Sequence, residues 1–246
     1  MSSKSCCSTP AIGKPVISTE QGTDVAAEVR LHIVGDRSSE RGVMLVYDIF
    51  GLYPQTIQGA SILAQKLECL VIIPDFFRGK AASMDWVAMD TEEKRNNMMT
   101  FFGENASPEK NLSTLLDIMK QSEDLYPQVK SWGVLGLCWG GKLAALASGG
   151  RSYFKVSGQA HPSLLDIADA KATNIPHICL SSPEEQADVL KEYEQAMRAN
   201  VDVEFELYET MFHGWMGSRA NMENEQNSKE FTRGYEQIAD FFNVHL

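Results

Sequence analysis

The chain lacks any apolar run long enough to cross a bilayer, so no membrane span is expected. The stretch Met1-Ser2-Ser3-Lys4-Ser5-Cys6-Cys7-Ser8 lacks the apolar core of a secretory signal. Positive charge is the scarce sign: 22 Lys and Arg stand against 33 Asp and Glu, a net charge of -11. That deficit argues against nucleic acid or an anionic membrane as partner. Cysteine is sparse too. The 5 are an odd number, and their spacing suits neither a disulfide framework nor a zinc site. A reduced compartment is expected, most simply a cytoplasmic one, with no metal and no cofactor. No internal repeat or low-complexity tract stands out, and no second domain is expected.

What is present suits one α/β domain with a sizeable core: 246 residues, 43 % hydrophobic and 22 % charged. Residues 1–27 read as a flexible lead with room for an edge strand, and 28–246 as the single domain. Cys6-Cys7 falls in the lead and reads as part of a solvated tail. The run Val29 to Val34 alternates as a strand, whereas Gly42 to Tyr47 and Cys69 to Ile73 are continuously apolar, as in strands buried on both faces. Further strands are expected at 154–160, 177–181 and 203–208, the last nearer an edge. Helices are expected near 55–67, 85–102, 108–122, 184–198 and 226–243. Strands alternating with helices imply a mostly parallel central sheet with helices on both faces. Functional groups then gather at the carboxyl ends of the strands.

Gly133 to Lys142 is the most informative stretch. An apolar run ends in Gly136-Leu137-Cys138-Trp139-Gly140-Gly141, and a small-residue helical stretch follows. That is a strand, a sharp turn and a helix with a thiol at the apex, the pattern of a nucleophile elbow built on Cys138. A helix N-terminus favours thiolate over thiol. The bland alternative, a buried small hydrophobe, fits a lone cysteine better than one flanked by glycines.

A thiol nucleophile needs a base. His213, in the loop after the last strand, stands where this topology places one, and it follows the cysteine in chain order. His32 and His177 lie within strand patterns and read as core histidines. His161, after another strand, is expected to support the pocket from behind or to bind substrate, with capping of the strand end as the alternative. The acid should follow the strand ending at Leu180-Ser181. Glu184 is preferred, then Glu185, then Asp188, although acids after proline also suit a helix's first turn. The amides of Trp139 and Ile49 are expected to form an oxyanion hole.

Together these residues resemble the dienelactone hydrolase family of the α/β-hydrolase fold, from about residue 25 onward. The anchors are Asp48-Ile49-Phe50-Gly51, Pro74-Asp75-Phe76, the Cys138 elbow and His213-Gly214. The elbow with Lys142, Ala160-His161-Pro162-Ser163 and Phe212-His213-Gly214-Trp215 look like the fungal-type branch. The resemblance implies hydrolysis of a small-molecule lactone or ester by a Cys-His-acid triad, with a homodimer as one option. It puts the acid that pairs with the resting thiol on Asp48, where the family usually has glutamate. It adds Trp215 to the residues that modulate the thiol or bind substrate. It makes Arg78, Lys94 and Arg95 candidates for the arginine that holds a substrate carboxylate in bacterial members. The triad aspartate is replaced here by the Glu184-Glu185 region.

Class I glutamine amidotransferases also carry Gly-x-Cys-x-Gly at an elbow, but follow it with a His-x-Glu pair that neither His161 nor His213 begins. A non-hydrolytic member remains the alternative: a ligand-binding protein, or an isomerase or lyase in a biosynthetic pathway.

Overall fold

The computed structural model describes residues 22–246. The readings on 1–21, Cys6-Cys7 included, lie outside the described residues. Among the described residues eight strands form one sheet: β1 (Gly22–Ala26), β2 (Val29–Gly35), β3 (Arg41–Val46), β4 (Leu70–Pro74), β5 (Ser131–Leu137), β6 (Val156–Ala160), β7 (His177–Ser181) and β8 (Val203–Leu207). Their order is β1-β2-β4-β3-β5-β6-β7-β8. β1, β2 and β4 pair antiparallel, and every pairing from β4 through β3 to β8 is parallel. The continuously apolar runs occupy the middle, where both faces are covered: Val43 to Val46 and Leu70 to Ile73 are fully buried. The alternating β8 is an edge strand, as its pattern predicts.

Among the described residues seven helices cover the sheet: α1 (Pro54–Leu67), α2 (Glu92–Glu104), α3 (Pro108–Leu125), α4 (Trp139–Ala147), α5 (Ile167–Ala172), α6 (Ala187–Arg198) and α7 (Glu225–His245). Two glycines of β5 show how the faces divide. A side chain on Gly133 would strike Phe242 of α7, and one on Gly136 would strike the backbone of Gly140 in α4. Residues an odd number apart on a strand point to opposite faces, so α7 and α4 lie on opposite sides. α1 packs with α7, and α3 with α4. The caps are local and legible: Thr91 accepts from the Lys94 amide at 3.2 Å and Asn224 from the Asn227 amide at 2.9 Å.

The edge strand for which the lead left room is Gly22–Ala26, with Asp24 held by Arg37 at 2.7 Å and by the Tyr126 hydroxyl at 2.8 Å. Two expectations change. The helix expected over 85–102 is a 3-10 turn at Met84–Trp86 and then α2, separated by Met89 at φ 44. α6 begins at Ala187 instead of 184, so Glu184 and Glu185 lie in the loop before it. The short α5 has no counterpart in the sequence reading.

Candidate active site

Cys138 sits between β5 and α4 with φ 53 and ψ -113, a positive-φ backbone conformation that costs a non-glycine residue energy. Neighbouring contacts force it. A Cβ on Gly136 would lie 2.1 Å from the Gly140 carbonyl oxygen, and one on Gly140 would lie 2.3 Å from that of Val46. Only glycine lets β5, β3 and α4 converge this closely. The Cys138 amide donates to Ala160 O at 3.0 Å, and its carbonyl accepts from Gly141 and Ser163. The elbow is therefore tied to the end of β6. The thiol is buried, and Ser163 Oγ is 3.7 Å from its sulfur.

His213 lies in the loop after β8, fixed from three sides. Its Nδ1 is 2.7 Å from Glu185 Oε1. Its amide donates to Glu184 Oε2 at 3.0 Å, and its carbonyl accepts from Arg219 Nη1 at 2.6 Å. The two glutamates thus divide the work, and the order of preference drawn from sequence is reversed. Glu185 meets the imidazole; Glu184, expected to do so, meets the backbone. The cause is the bend after β7, where the Ser182 amide donates to Glu185 Oε2 and turns that side chain inward. The Glu185 side chain is only 3 % exposed. Asp188 is exposed in the first turn of α6, where it complements the helix dipole.

His161 follows β6 with φ 39, fully buried, its ring edge-on to that of His213 at 5.3 Å between centroids. Burial pushes its pKa well below the usual histidine range, helped by the positive charges of His213 and Arg219 and opposed by its own backbone. His161 and Ser163, two residues apart, therefore link the His213 ring to the Cys138 sulfur. The amides of Ile49 and Trp139, at the ends of β3 and β5, pair with no acceptor among the described residues.

The other candidates are used differently. Asp48 is buried; its Oδ1 accepts from the Phe50 amide at 3.0 Å, and its Oδ2 from the amide and hydroxyl of Ser218 at 2.8 and 2.7 Å. Burial raises its pKa, while those hydrogen bonds and His213 oppose the shift. These contacts make it a clasp between the loops after β3 and after His213. The Trp215 indole, expected to modulate the thiol or bind substrate, instead stacks on Tyr208 at 4.4 Å and lies against Gly234 of α7. Its position in the loop did not reveal that it points into the core. Arg78 is exposed at a groove of about 220 Å³ shared with Phe76, Phe77 and Lys110, whose lining includes neither Cys138 nor His213. Lys94 pairs with Asp90 at 2.9 Å, and Arg95 donates to Met89 O at 2.8 Å, each a local contact. Sequence reasoning missed Arg219 and Ser218. They lie six and five residues past His213, respectively, with no motif of their own, and only the loop's return toward β3 brings them in.

A strained residue at a strand–helix elbow and a His–Glu pair, both at the carboxyl edge of a mostly parallel eight-stranded sheet, define an α/β hydrolase. The chain belongs to the dienelactone hydrolase family, whose sequence profile matches residues 30–246. An uncharacterized AIM2 family protein of Schizosaccharomyces pombe is 31% identical over 214 residues, 86% of this chain and 85% of that protein. A dienelactone hydrolase of Anabaena variabilis superposes with TM-score 0.66 at 13% identity, covering 93% of this chain and 99% of that one. An esterase of Pyrococcus furiosus also gives 0.66, at 12% identity, over 97% of this chain and 99% of that one. At such identities the two structures speak for the fold.

Proposed function

We propose that the protein hydrolyses small lactones or esters, with Cys138 as nucleophile, His213 as base and Glu185 as the acid that orients the base. The observation that carries this reading is the 2.7 Å contact between His213 Nδ1 and Glu185 Oε1 in the loops beside the Cys138 elbow. A carboxylate on Nδ1–H fixes the tautomer that leaves Nε2 to move protons, and it stabilises the imidazolium that forms. His213 takes the thiol proton, and the Cys138 sulfur adds to the acyl carbon. The amides of Trp139 and Ile49 donate to the resulting oxyanion. As the tetrahedral centre collapses, His213 returns its proton to the leaving alkoxide and an acyl-sulfur bond remains. Water deprotonated by His213 then cleaves that thioester, releasing the carboxylic acid and restoring the thiol.

The test is a screen of small lactones, enol esters and activated aryl esters against the wild type and Cys138→Ala. Loss of hydrolysis by a factor of about 10³ or more with an unchanged melting temperature is expected. Cys138→Ser should be poorly active, because a hydroxyl is far less acidic than a thiol. Near wild-type turnover in Cys138→Ala would refute the nucleophile. Absence of any turnover, with slow iodoacetamide labelling of Cys138, would favour a non-hydrolytic binding protein.

A further inference from the structure

Two buried features of the loop after β6 have no role in the chemistry above. His161 adopts φ 39, which costs a histidine energy and persists only where the surroundings impose it. Both its ring nitrogens are shielded from solvent, and neither has a hydrogen-bond partner among the described residues. A neutral imidazole always carries one N–H donor and one lone pair, so this side chain is buried with its polar capacity unused. Native proteins rarely leave a group in that condition without a use for it.

Its place is specific. The His161 amide donates to Leu180 O at 2.7 Å, which anchors the loop between β6 and β7. The ring lies edge-on to His213, and its Cε1 is 3.6 Å from where a Cβ on Gly217 would stand. The residue before it holds the Cys138 amide, and Ser163, two residues after it, reaches the Cys138 sulfur. His161 therefore lies against the His213 ring and, along the chain, between Ala160 and Ser163, the residues that hold the Cys138 backbone and meet its sulfur.

We propose that His161 contacts the substrate: its ring N–H donates to an uncharged oxygen, an ether, keto or ring oxygen, on the acyl side of the scissile carbonyl. This deepens the hydrolase reading and rests on it. The oxygen is uncharged because the donor is a neutral, desolvated group that offers an anion no charge compensation. Such an oxygen supplies the partner that the protein withholds. A purely aliphatic acyl group leaves the N–H buried and unpaired, so the site discriminates against it. His161 remains uncharged while His213 gains and loses its proton, because its own pKa is displaced far downward.

Two isosteric esters read the contact: p-nitrophenyl methoxyacetate, with an acyl ether oxygen, and p-nitrophenyl butanoate, with a methylene there. The quantity is the ratio of their kcat/KM values, in which intrinsic reactivity cancels between enzyme variants. His161→Leu should lower that ratio by about tenfold relative to wild type, the cost of one such hydrogen bond. His161→Gln should restore part of it. His161→Asn tolerates the same backbone conformation and should lose the ratio without losing the fold, so it decides the matter if His161→Leu fails to fold. Equal losses on both esters, or an unchanged ratio in folded His161→Asn, would overturn the proposal and leave a structural strand-end residue. Should the wild type cleave neither ester, the same ratio is read as affinity. Cys138→Ala should bind methoxyacetate more tightly than butanoate, by thermal shift, only while His161 is present. Failure of the hydrolase reading thus appears as lost turnover, and failure of this one as an unmoved ratio.

Discussion

β6 and β7 each carry a buried histidine at one end, and the two ends behave oppositely. At the amino end, His177 is fully buried with both nitrogens satisfied: Nδ1 lies 2.7 Å from Ser157 Oγ and Nε2 3.0 Å from Gln159 Oε1. Gln159 in turn donates through Nε2 to the Gly141 carbonyl at 2.8 Å. That direction settles the tautomer. The Gln159 oxygen is the acceptor, so His177 Nε2 donates and Nδ1 accepts from Ser157. At the carboxyl end, His161 is equally buried and its pKa is likewise pushed down by burial, yet its nitrogens are unpaired. Burial alone therefore does not separate a structural histidine from a functional one. What differs is satisfaction: the amino end uses its polar groups to hold α4 in place, and the carboxyl end leaves the His161 nitrogens open.

The largest effect that would sharpen this contrast is at the carboxyl end. Glu185→Gln should lower kcat by roughly 10²- to 10⁴-fold, with only a small change in thermal stability. Glu184→Gln, which keeps an oxygen able to accept from the His213 amide, should cost less than about tenfold. Steady-state kinetics on one activated ester decide it, and the reverse order would return the acid to Glu184.

At the amino end the expected loss is of stability. His177→Leu takes the partner from Gln159 Oε1 in the core and leaves the Ser157 hydroxyl with only the longer 3.3 Å bond to Pro176 O; it should cost about 3 kcal/mol, a drop in melting temperature of roughly 6–12 °C. Turnover per folded molecule should change far less than in Glu185→Gln. A His177→Leu enzyme of normal stability but poor turnover would break the comparison.

The smallest effect is on pH. Burial depresses the His177 pKa from 6.5 to about 3. Folded protein then binds fewer protons than unfolded protein across that interval, so stability falls as pH drops below about 6.5. Moving from pH 7 to 5 should cost about 2 kcal/mol through this residue. Asp48 acts in the opposite sense: its raised pKa means that the folded protein takes up this proton above the usual carboxylate range, so stability through this residue rises as pH falls toward 3.8. Denaturant melts at the two pH values should show the loss, reduced in His177→Leu; an equal loss in that variant would remove His177 as a cause.

Much of the site was legible because it depends on short-range pattern. Glycine at 136 and 140 around a thiol, after an apolar run, admits few backbone geometries, and Cys138 occupies the expected elbow. His213 was legible from chain order and its loop. The choice between Glu184 and Glu185 was not, since adjacent residues in one loop differ only in which way the backbone turns them. Trp215 failed for the same reason: a loop position does not say which side faces the core.

The sequence by itself determined the alternation of strands and helices, the mostly parallel sheet and the residue types at its carboxyl edge. Those follow from periodicity and turn chemistry, which act over a few residues. Tertiary structure alone decided which glutamate meets His213, that Asp48 clasps Ser218 from 170 residues away, and that His161 is buried without a partner. Each depends on where distant loops converge in space, and no local rule of spacing fixes that.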